Sequence, residues 1–451
     1  MHILFYYNNY ERECRIIRFI SDELKKHESD MIISLLQADC GIDTLFRVIE
    51  LKPDIIFTFP ITTEYQSVQY SYIKLLINPY IICFSTEGFF ILDENGGFDD
   101  QLGYYDYGEN VIDEFIAWGR KPAGIYDKGL KKEGKIKQND TINYFGYPLY
   151  ERNKIECDDN NIITDFIKSK KSERNILVLT GFDGAEYDRE AIINCEDLID
   201  KKLEFAEREK KIDETITLCK NIKRFREDYL ELICKLAKKH PDWGFWVKLH
   251  PHEIKTRTTS PDKAFDYEKY FNKFDNIHVI SQNVPISGLL IQCDVLIHYG
   301  STAFMESYIY EKKDLLLVGR NEKRTQRNMT QCCMYVDEFD RIDEYLGNDG
   351  FISDINIDNF IFEWMNYKKG EKYEPSRKIA EFILNTYDGN NKKKVRLKDL
   401  LRVENSDYVS IYRRGILFRT LKKNKIRMVY FAVKMYYYLP FLIKDILYKK
   451  R

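Results

Sequence analysis

Apolar residues in the first third of the chain come in short runs between amphipathic stretches: HILFYY (2–7), MIISLL (31–36), DIIFTF (54–59) and YIICFSTEG (80–88). Runs of this length, bounded by turn residues, predict buried strands, and the stretches near 10–27, 41–51 and 64–77 predict helices. Such βαβαβαβ alternation predicts a parallel sheet with crossover helices, in other words a Rossmann-like domain. NVIDEFIAWG (110–119) and INYFGYP (142–148) complete the unit, the latter stopped by its Gly and Pro.

After the polar CDDNN (157–161) and the charged KSKKSER (168–174), the pattern starts again. NILVLTGFDG (175–184) predicts a strand breaking into a glycine turn, and a charged helical region follows over about 196–240. Next come GFWVKL, NIHVIS (276–281), CDVLIHYGST (293–302), a helix through 303–312 and DLLLVG (314–319). This half also reads as doubly wound, and two such α/β domains facing each other would form a cleft for a nucleotide-bearing ligand. The expected division is a Rossmann-like acceptor domain over 1–155, a Rossmann-like donor domain over 170–390 that ends in the helix SRKIAEFILNTYDG, and a basic tail over 391–451.

At 451 residues the chain is long enough for two cores, and 44% hydrophobic residues supply the material for them. A formal net charge of −2 argues against nucleic acid as the partner of the whole chain. The tail differs in character. From Ile411 to Arg451 twelve Lys or Arg stand against the single acid Asp445, interleaved with aromatics in MVYFAVKMYYYLPFLIKDILY. Its apolar run between Lys434 and Lys444 is too short to span a bilayer. A basic amphipathic segment of this kind predicts in-plane binding to the anionic inner-membrane surface; the alternative is a docking helix. Ten cysteines with no CxxC pair suit thiols in a reducing cytosol, and MHILFYYNNYERE has no basic region ahead of its apolar run. The expected location is therefore cytoplasmic, peripheral at the inner face of the cytoplasmic membrane.

The candidate chemistry starts at FWVKLHPHE (245–253), where alternating apolar positions run into His250-Pro251. Proline cannot donate to a sheet ladder, so the strand ends there, and the carboxyl ends of strands in open α/β sheets are where ligands bind. A histidine at that place is a candidate for gripping a phosphate or moving a proton. Gly300-Ser301-Thr302 ends another buried strand, and its hydroxyls can cap the next helix and leave backbone amides for a phosphate. Glu306, one turn on, is placed to reach a ribose diol. The alternative is that Ser301 or Thr302 merely caps and Glu306 is a surface residue. Gly181, in TGFDG, lets backbone approach a phosphate or makes an ordinary tight turn. His298 either packs against neighbours or lines the cleft, and His252 and Glu253 support the loop. In the first domain, Glu87 of STEGFF stands where the YIICF strand ends and is the candidate general base; the alternatives are steadying an acceptor hydroxyl or a loop carboxylate. The acidic loop around Asp93, Glu94, Asp99 and Asp100 reads as a solvated segment.

KLHPHE, followed about fifty residues later by DVLIHYGSTAFMESYIYEKK, resembles the HP and Ser/Thr motifs of GT-B glycosyltransferases of bacterial surface-polysaccharide biosynthesis, including sialyl-, polysialyl- and Kdo transferases. FIAWGRKPAG (115–124) and INYFGYPLYE (142–151) resemble that family's stretch before the interdomain crossing. The resemblance implies that His250, Ser301 and Thr302 hold the donor's nucleotide phosphate, that Pro251 and Gly300 belong to the same donor site and that Glu306 takes the ribose. Bacterial sialyltransferases carry an acid-acid-Gly motif whose acid is the base; here Thr86 stands first and Glu87 is the matching acid. The implied donor is a CMP-sugar of the ulosonic type, used as co-substrate with no other cofactor and no metal, and the acceptor is a glycan or lipid-linked sugar. Polyol-phosphate transfer from a CDP-alcohol, a noncatalytic scaffold and epimerisation of a UDP-sugar are the competing expectations.

Overall fold

The protein is described by a computed structural model covering residues 1–387 apart from 9, 28–29, 39–41, 62, 87–110, 126–141, 157–161, 171, 183, 195–203, 260–263, 321–329 and 351–353. Its strands are β1 (His2–Tyr7), β2 (Ile32–Gln37), β3 (Ile55–Thr58), β4 (Tyr80–Phe84), β5 (Glu114–Ala117), β6 (Asn143–Tyr144), β7 (Arg174–Leu179), β8 (Trp243–Lys248), β9 (Ile277–Ile280), β10 (Val295–His298), β11 (Lys313–Val318) and β12 (Cys333–Tyr335). The helices that bear on the argument are α1 (Tyr10–His27), α2 (Glu64–Ile77), α3 (Phe205–Lys239), α4 (Pro251–Thr259), α5 (Ala303–Ile309) and α6 (Pro375–Thr386).

The first unit is a six-stranded sheet in the order β2-β1-β3-β4-β5-β6, parallel throughout. β3 and β4 are buried along their whole length, which is why their sequences are continuous apolar runs rather than alternating ones. β2 lies at the edge and leaves Ile32 and Leu35 exposed. The strand ends are tied down by the two motifs singled out from the sequence. Trp118 donates its indole N–H to the Ser85 carbonyl at 2.7 Å, and Gly146, at φ 98°, donates its N–H to the Trp118 carbonyl at 2.8 Å. Helix α2 starts on Thr63, whose hydroxyl accepts from the Gln66 N–H at 3.2 Å, and stops at Asn78 in the left-handed region, φ 45°. Lys74 on that helix forms a fully buried ion pair with Asp113, whose carboxylate also accepts from the Ile81 N–H at 2.6 Å and so fixes the start of β4.

The second unit is also parallel throughout, in the order β12-β11-β10-β7-β8-β9. Strand order reverses between β7 and β10, the doubly wound arrangement in which the carboxyl ends of the central strands carry the ligand. One face of β7 and β8 (Ile176, Val178, Phe245, Val247) packs against Tyr229, Ile233 and Leu236 of α3. The Tyr229 hydroxyl reaches across to the Leu179 carbonyl at 3.0 Å.

The units divide the chain differently from the expected boundaries. The first takes the described residues up to Gly146 and again from Pro375; the second takes Tyr147–Glu374. Helix α6, expected with the donor half, belongs to the first unit because it has an apolar face to bury there. It packs along α1, with Phe382 5.2 Å from Phe145, and just beyond it Tyr387 meets Tyr80 at 6.1 Å. Residues 147–155, expected with the first half, are held in the second unit, where the Tyr147 N–H donates to the Tyr373 hydroxyl at 2.7 Å. The expected tail (391–451) and the acidic loop near 93–100 lie outside the described residues. No helix among the described residues is long and apolar enough to cross a membrane.

Candidate functional site

Three of the expected positions lie at the carboxyl ends of adjacent strands in the second unit: Gly181 after β7, His250-Pro251 after β8 and Gly300-Ser301-Thr302 after β10. Neighbouring strands run about 4.8 Å apart, so the β8 and β10 loops flank the β7 loop at roughly 10 Å from each other. Glu87, the candidate base, lies outside the described residues; the strand that leads to it ends at Phe84, with Ser85 held by Trp118.

Pro251 does more than end the strand. It is the first residue of α4, where its fixed φ suits the helix and its missing N–H costs nothing. His250 stands directly ahead of it, and its Nδ1 accepts from the His252 N–H at 3.3 Å. A neutral imidazole that accepts at Nδ1 carries its proton on Nε2, the donor form that a phosphate oxygen requires. Two residues beyond Pro251, Glu253 reaches back and accepts from the His250 N–H at 3.0 Å. Together these bonds form a variant of the capping box, in which histidine takes the place of the usual serine or threonine and accepts from the second helical N–H rather than the third.

Glu253 also gathers groups from outside the helix. The Thr180 hydroxyl bonds to its Oε2, the Phe182 N–H lies 3.4 Å from its Oε1 and the Tyr267 hydroxyl donates to Oε1 at 2.6 Å. Thr180 and Phe182 bracket Gly181, so one carboxylate ties the β7 loop to the β8 loop. Behind it lies a pocket lined by Phe182, Arg226, Arg257, Phe265 and Tyr267. There Arg226 bonds Glu186 at 2.6 Å and stacks 4.0 Å over Phe265. A Cβ added at Gly181 would meet nothing within 4 Å, so the fold alone does not demand glycine there; the tight turn belongs to Gly184, at φ 88°.

Lys248 closes β8. It is 3% exposed and its Nζ donates to the Leu249 carbonyl at 3.1 Å. Burial brings its amine down to about 8, opposed by the charge of Glu253.

At the β10 end Gly300, at φ 73°, makes a bend that other residues resist. The Ser301 hydroxyl accepts from the Ala303 N–H at 3.2 Å, so one of the amides expected to be open for phosphate already has a partner. Thr302 is exposed and its side chain makes no cap bond, so of the two expected caps only Ser301 acts as one. Glu306 is 4% exposed, and its Oε1 accepts from the Tyr310 hydroxyl at 3.1 Å. It is therefore not the surface residue of the alternative expectation, and Tyr310 ties its carboxylate to the end of its own helix. His298, 1% exposed, lies beneath the turn and accepts from the Ser301 N–H.

Glu253, Thr180, Tyr267 and Lys248 were not singled out as site residues from the sequence. The signal for Glu253 was present: a capping residue followed three positions later by Glu, at a strand-to-helix junction. Thr180 and Tyr267 carry no such local mark, since their contacts with Glu253 span 73 and 14 residues. The described cysteines are all free thiols, and no cluster of three or more metal-ligating side chains occurs among the described residues.

No family model matches the chain, and no curated protein matches it by sequence. Solved structures do resemble it. The UDP-GlcNAc 2-epimerase from Methanocaldococcus jannaschii superposes with a TM-score of 0.52 at 11% identity, covering 85% of this chain and 100% of that one. Another UDP-N-acetylglucosamine 2-epimerase gives 0.51 at 14% identity, covering 86% and 96%. A variant of the wall teichoic acid polymerase TagF gives 0.50 at 12% identity, covering 90% of each chain. These likenesses establish the fold: two Rossmann-like domains of the GT-B type.

Removing the Glu253 carboxylate takes the acceptor from the Tyr267 hydroxyl and leaves the His250 N–H with the Thr180 hydroxyl, at 3.1 Å. Glu253→Ala is expected to lower stability by about 1–3 kcal/mol in urea unfolding, and Glu253→Gln by less because one acceptor oxygen remains. Equal loss in the two variants would show that the oxygens are not the tie. Lys248 gives a pH signature. Its folded value of about 8 lies below the ~10.4 of an unfolded lysine, so between those limits the unfolded chain binds more protons and stability rises with pH. Lys248→Met is expected to be more stable than the wild type at pH 7, with the gap closing by pH 10. A gap that stays constant in urea melts at the two pH values would refute the buried amine as its cause.

Proposed function

We propose that the protein is a GT-B glycosyltransferase that moves a sugar from a nucleotide donor to a surface glycan or lipid-linked acceptor. The observation that carries this reading is His250, fixed at the end of β8 by a capping box that sets its proton on Nε2, beside the open β7 loop. The shared fold supports it, because the similar structures include a UDP-GlcNAc 2-epimerase and a wall teichoic acid polymerase. The donor we favour is a CMP-activated ulosonic acid of the Kdo or sialic type, by resemblance of the KLHPHE and HYGST segments.

In the reaction the acceptor hydroxyl attacks the anomeric carbon and loses its proton to a base, for which Glu87 is the candidate. As the new C–O bond forms, the bond to the nucleotide phosphate breaks and the nucleotide leaves with the electron pair. Nε2–H of His250 and the Gly300–Thr302 turn meet the charge that develops on that phosphate. A well-placed donor of this kind is typically worth ~3–4 kcal/mol of barrier. Neutralising phosphate with imidazole and backbone N–H groups needs no metal, and we infer a metal-independent transfer. The same HP and Ser/Thr segments allow a second reading, transfer of a polyol phosphate from a CDP-alcohol, which also releases CMP. The basic segment 411–451 is proposed to hold the protein at the anionic inner face of the cytoplasmic membrane.

Ligand that binds only the native state raises its melting temperature by mass action. In thermal shifts with CMP, CDP, UDP and GDP in EDTA, CMP is expected to raise the midpoint for the wild type and to have little effect on His250→Ala. A response to UDP with none to CMP would sink the donor assignment, and an unaltered CMP shift in His250→Ala would remove His250 from the site. For the tail, a chain ending at residue 390 is expected to leave the membrane fraction; retention there would place the anchor elsewhere.

A further inference from the structure

The transfer just described makes no use of the most buried polar pair at the turn after β10. His298 ends β10 and Asp314 lies near the start of the adjacent parallel strand β11; each side chain is 1% exposed. Nε2 of His298 stands 2.9 Å from Oδ1 of Asp314. The approach is off the line of a straight N–H···O bond, and neither carboxylate oxygen has another hydrogen-bond partner among the described residues. The other ring nitrogen has a directed bond: Nδ1 accepts from the Ser301 N–H at 3.0 Å. Phe304 lies nearly parallel to the ring at 6.5 Å.

These contacts define the ring's protonation. An Nδ1 that accepts from an amide has no proton of its own, so a neutral His298 carries its proton on Nε2, facing Asp314. A carboxylate buried with no other partner favours that tautomer, because it places an N–H rather than a lone pair against the negative charge. The same tautomer leaves the Nδ1 lone pair for Ser301. The turn is thus fixed at its middle by His298, bent at Gly300 and closed by the Ser301 hydroxyl on the Ala303 N–H. Packing alone does not call for such a pair. The neighbouring positions of β10 and β11 are Leu296, Ile297, Leu315 and Leu316, and two apolar side chains would fill the same space without burying a charge.

We propose that His298 is a positioning residue for the proposed transfer: held as the Nε2–H tautomer by Asp314, it presets the Gly300–Thr302 turn to receive the nucleotide's phosphate. The inference rests on the reading of that turn as a phosphate site. The test is titration calorimetry of the full chain with CMP, CDP, UDP and GDP for the wild type, His298→Phe and His298→Asn, with thermal melts as the check on folding. His298→Phe is expected to weaken the nucleotide that the wild type binds at least tenfold. His298→Asn, whose amide oxygen can accept from Ser301, is expected to recover most of that loss, which general softening of the core would not do. If His298→Phe does not fold because Asp314 is stranded, the double variant His298→Leu, Asp314→Leu removes both partners, and the same tenfold weakening is expected of it. A wild type that binds a nucleotide while the Phe or double-Leu variant binds it equally well would overturn the role of His298 and leave the phosphate site standing. His298→Asn binding no better than His298→Phe would overturn it as well. A wild type that binds none of the four nucleotides would overturn the reading of the turn, and this inference with it.

Discussion

The second unit turns on the carboxylate of Glu253. Parallel strands deliver their carboxyl ends to one edge of the sheet, and each loop that leaves that edge must find partners for its backbone N–H groups. Glu253 accepts from the His250 N–H, lies within reach of the Phe182 N–H and takes hydroxyl bonds from Thr180 and Tyr267. Loops from two strands and the segment leading into the helix at 267–271 are therefore held by one side chain. Without such a tie, His250 would keep, among the described residues, only its bonds to Thr180 and to its own helix.

The β10 turn meets the same demand with a different residue. There the acceptor is the His298 ring, approached from below by Asp314 and from above by the Ser301 N–H. Both loops thus rest on an ionisable side chain at the edge of a core built largely from Leu, Ile, Val and aromatic rings. Each histidine accepts an amide N–H at Nδ1, His250 from His252 and His298 from Ser301. Their surroundings then separate their roles: the first is only partly buried at a loop mouth and the second lies in the core.

Much of the architecture was legible because its signals are local. Runs such as YIICF, NILVL and DLLLV have no reading but buried strands once the helices between them are recognised, and α1, α2 and the strands before the site fall where the periodicity puts them. The GT-B type followed from resemblance and is shared with the solved structures. What escaped was long-range. Nothing near residues 375–386 says that this helix packs on α1, because an amphipathic stripe does not name its partner. Spacing along one helix placed Glu306 one turn past Thr302, and spacing does not reveal that its carboxylate is buried and takes a bond from the Tyr310 hydroxyl. Glu253 was legible as a capping residue, but its reach to Thr180 was not.

The return of the chain to the first unit at Pro375 has a consequence for synthesis. Among the described residues the second unit is one stretch, whereas the first lacks α6 until all of Tyr147–Glu374 has been made. At 5–20 residues per second that interval is roughly 10–45 s, during which the α1 surface that receives α6 waits uncovered on the ribosome. The usual vectorial order is thus reversed: the unit that emerges first is the last to be completed, and the inserted one is free to mature ahead of it.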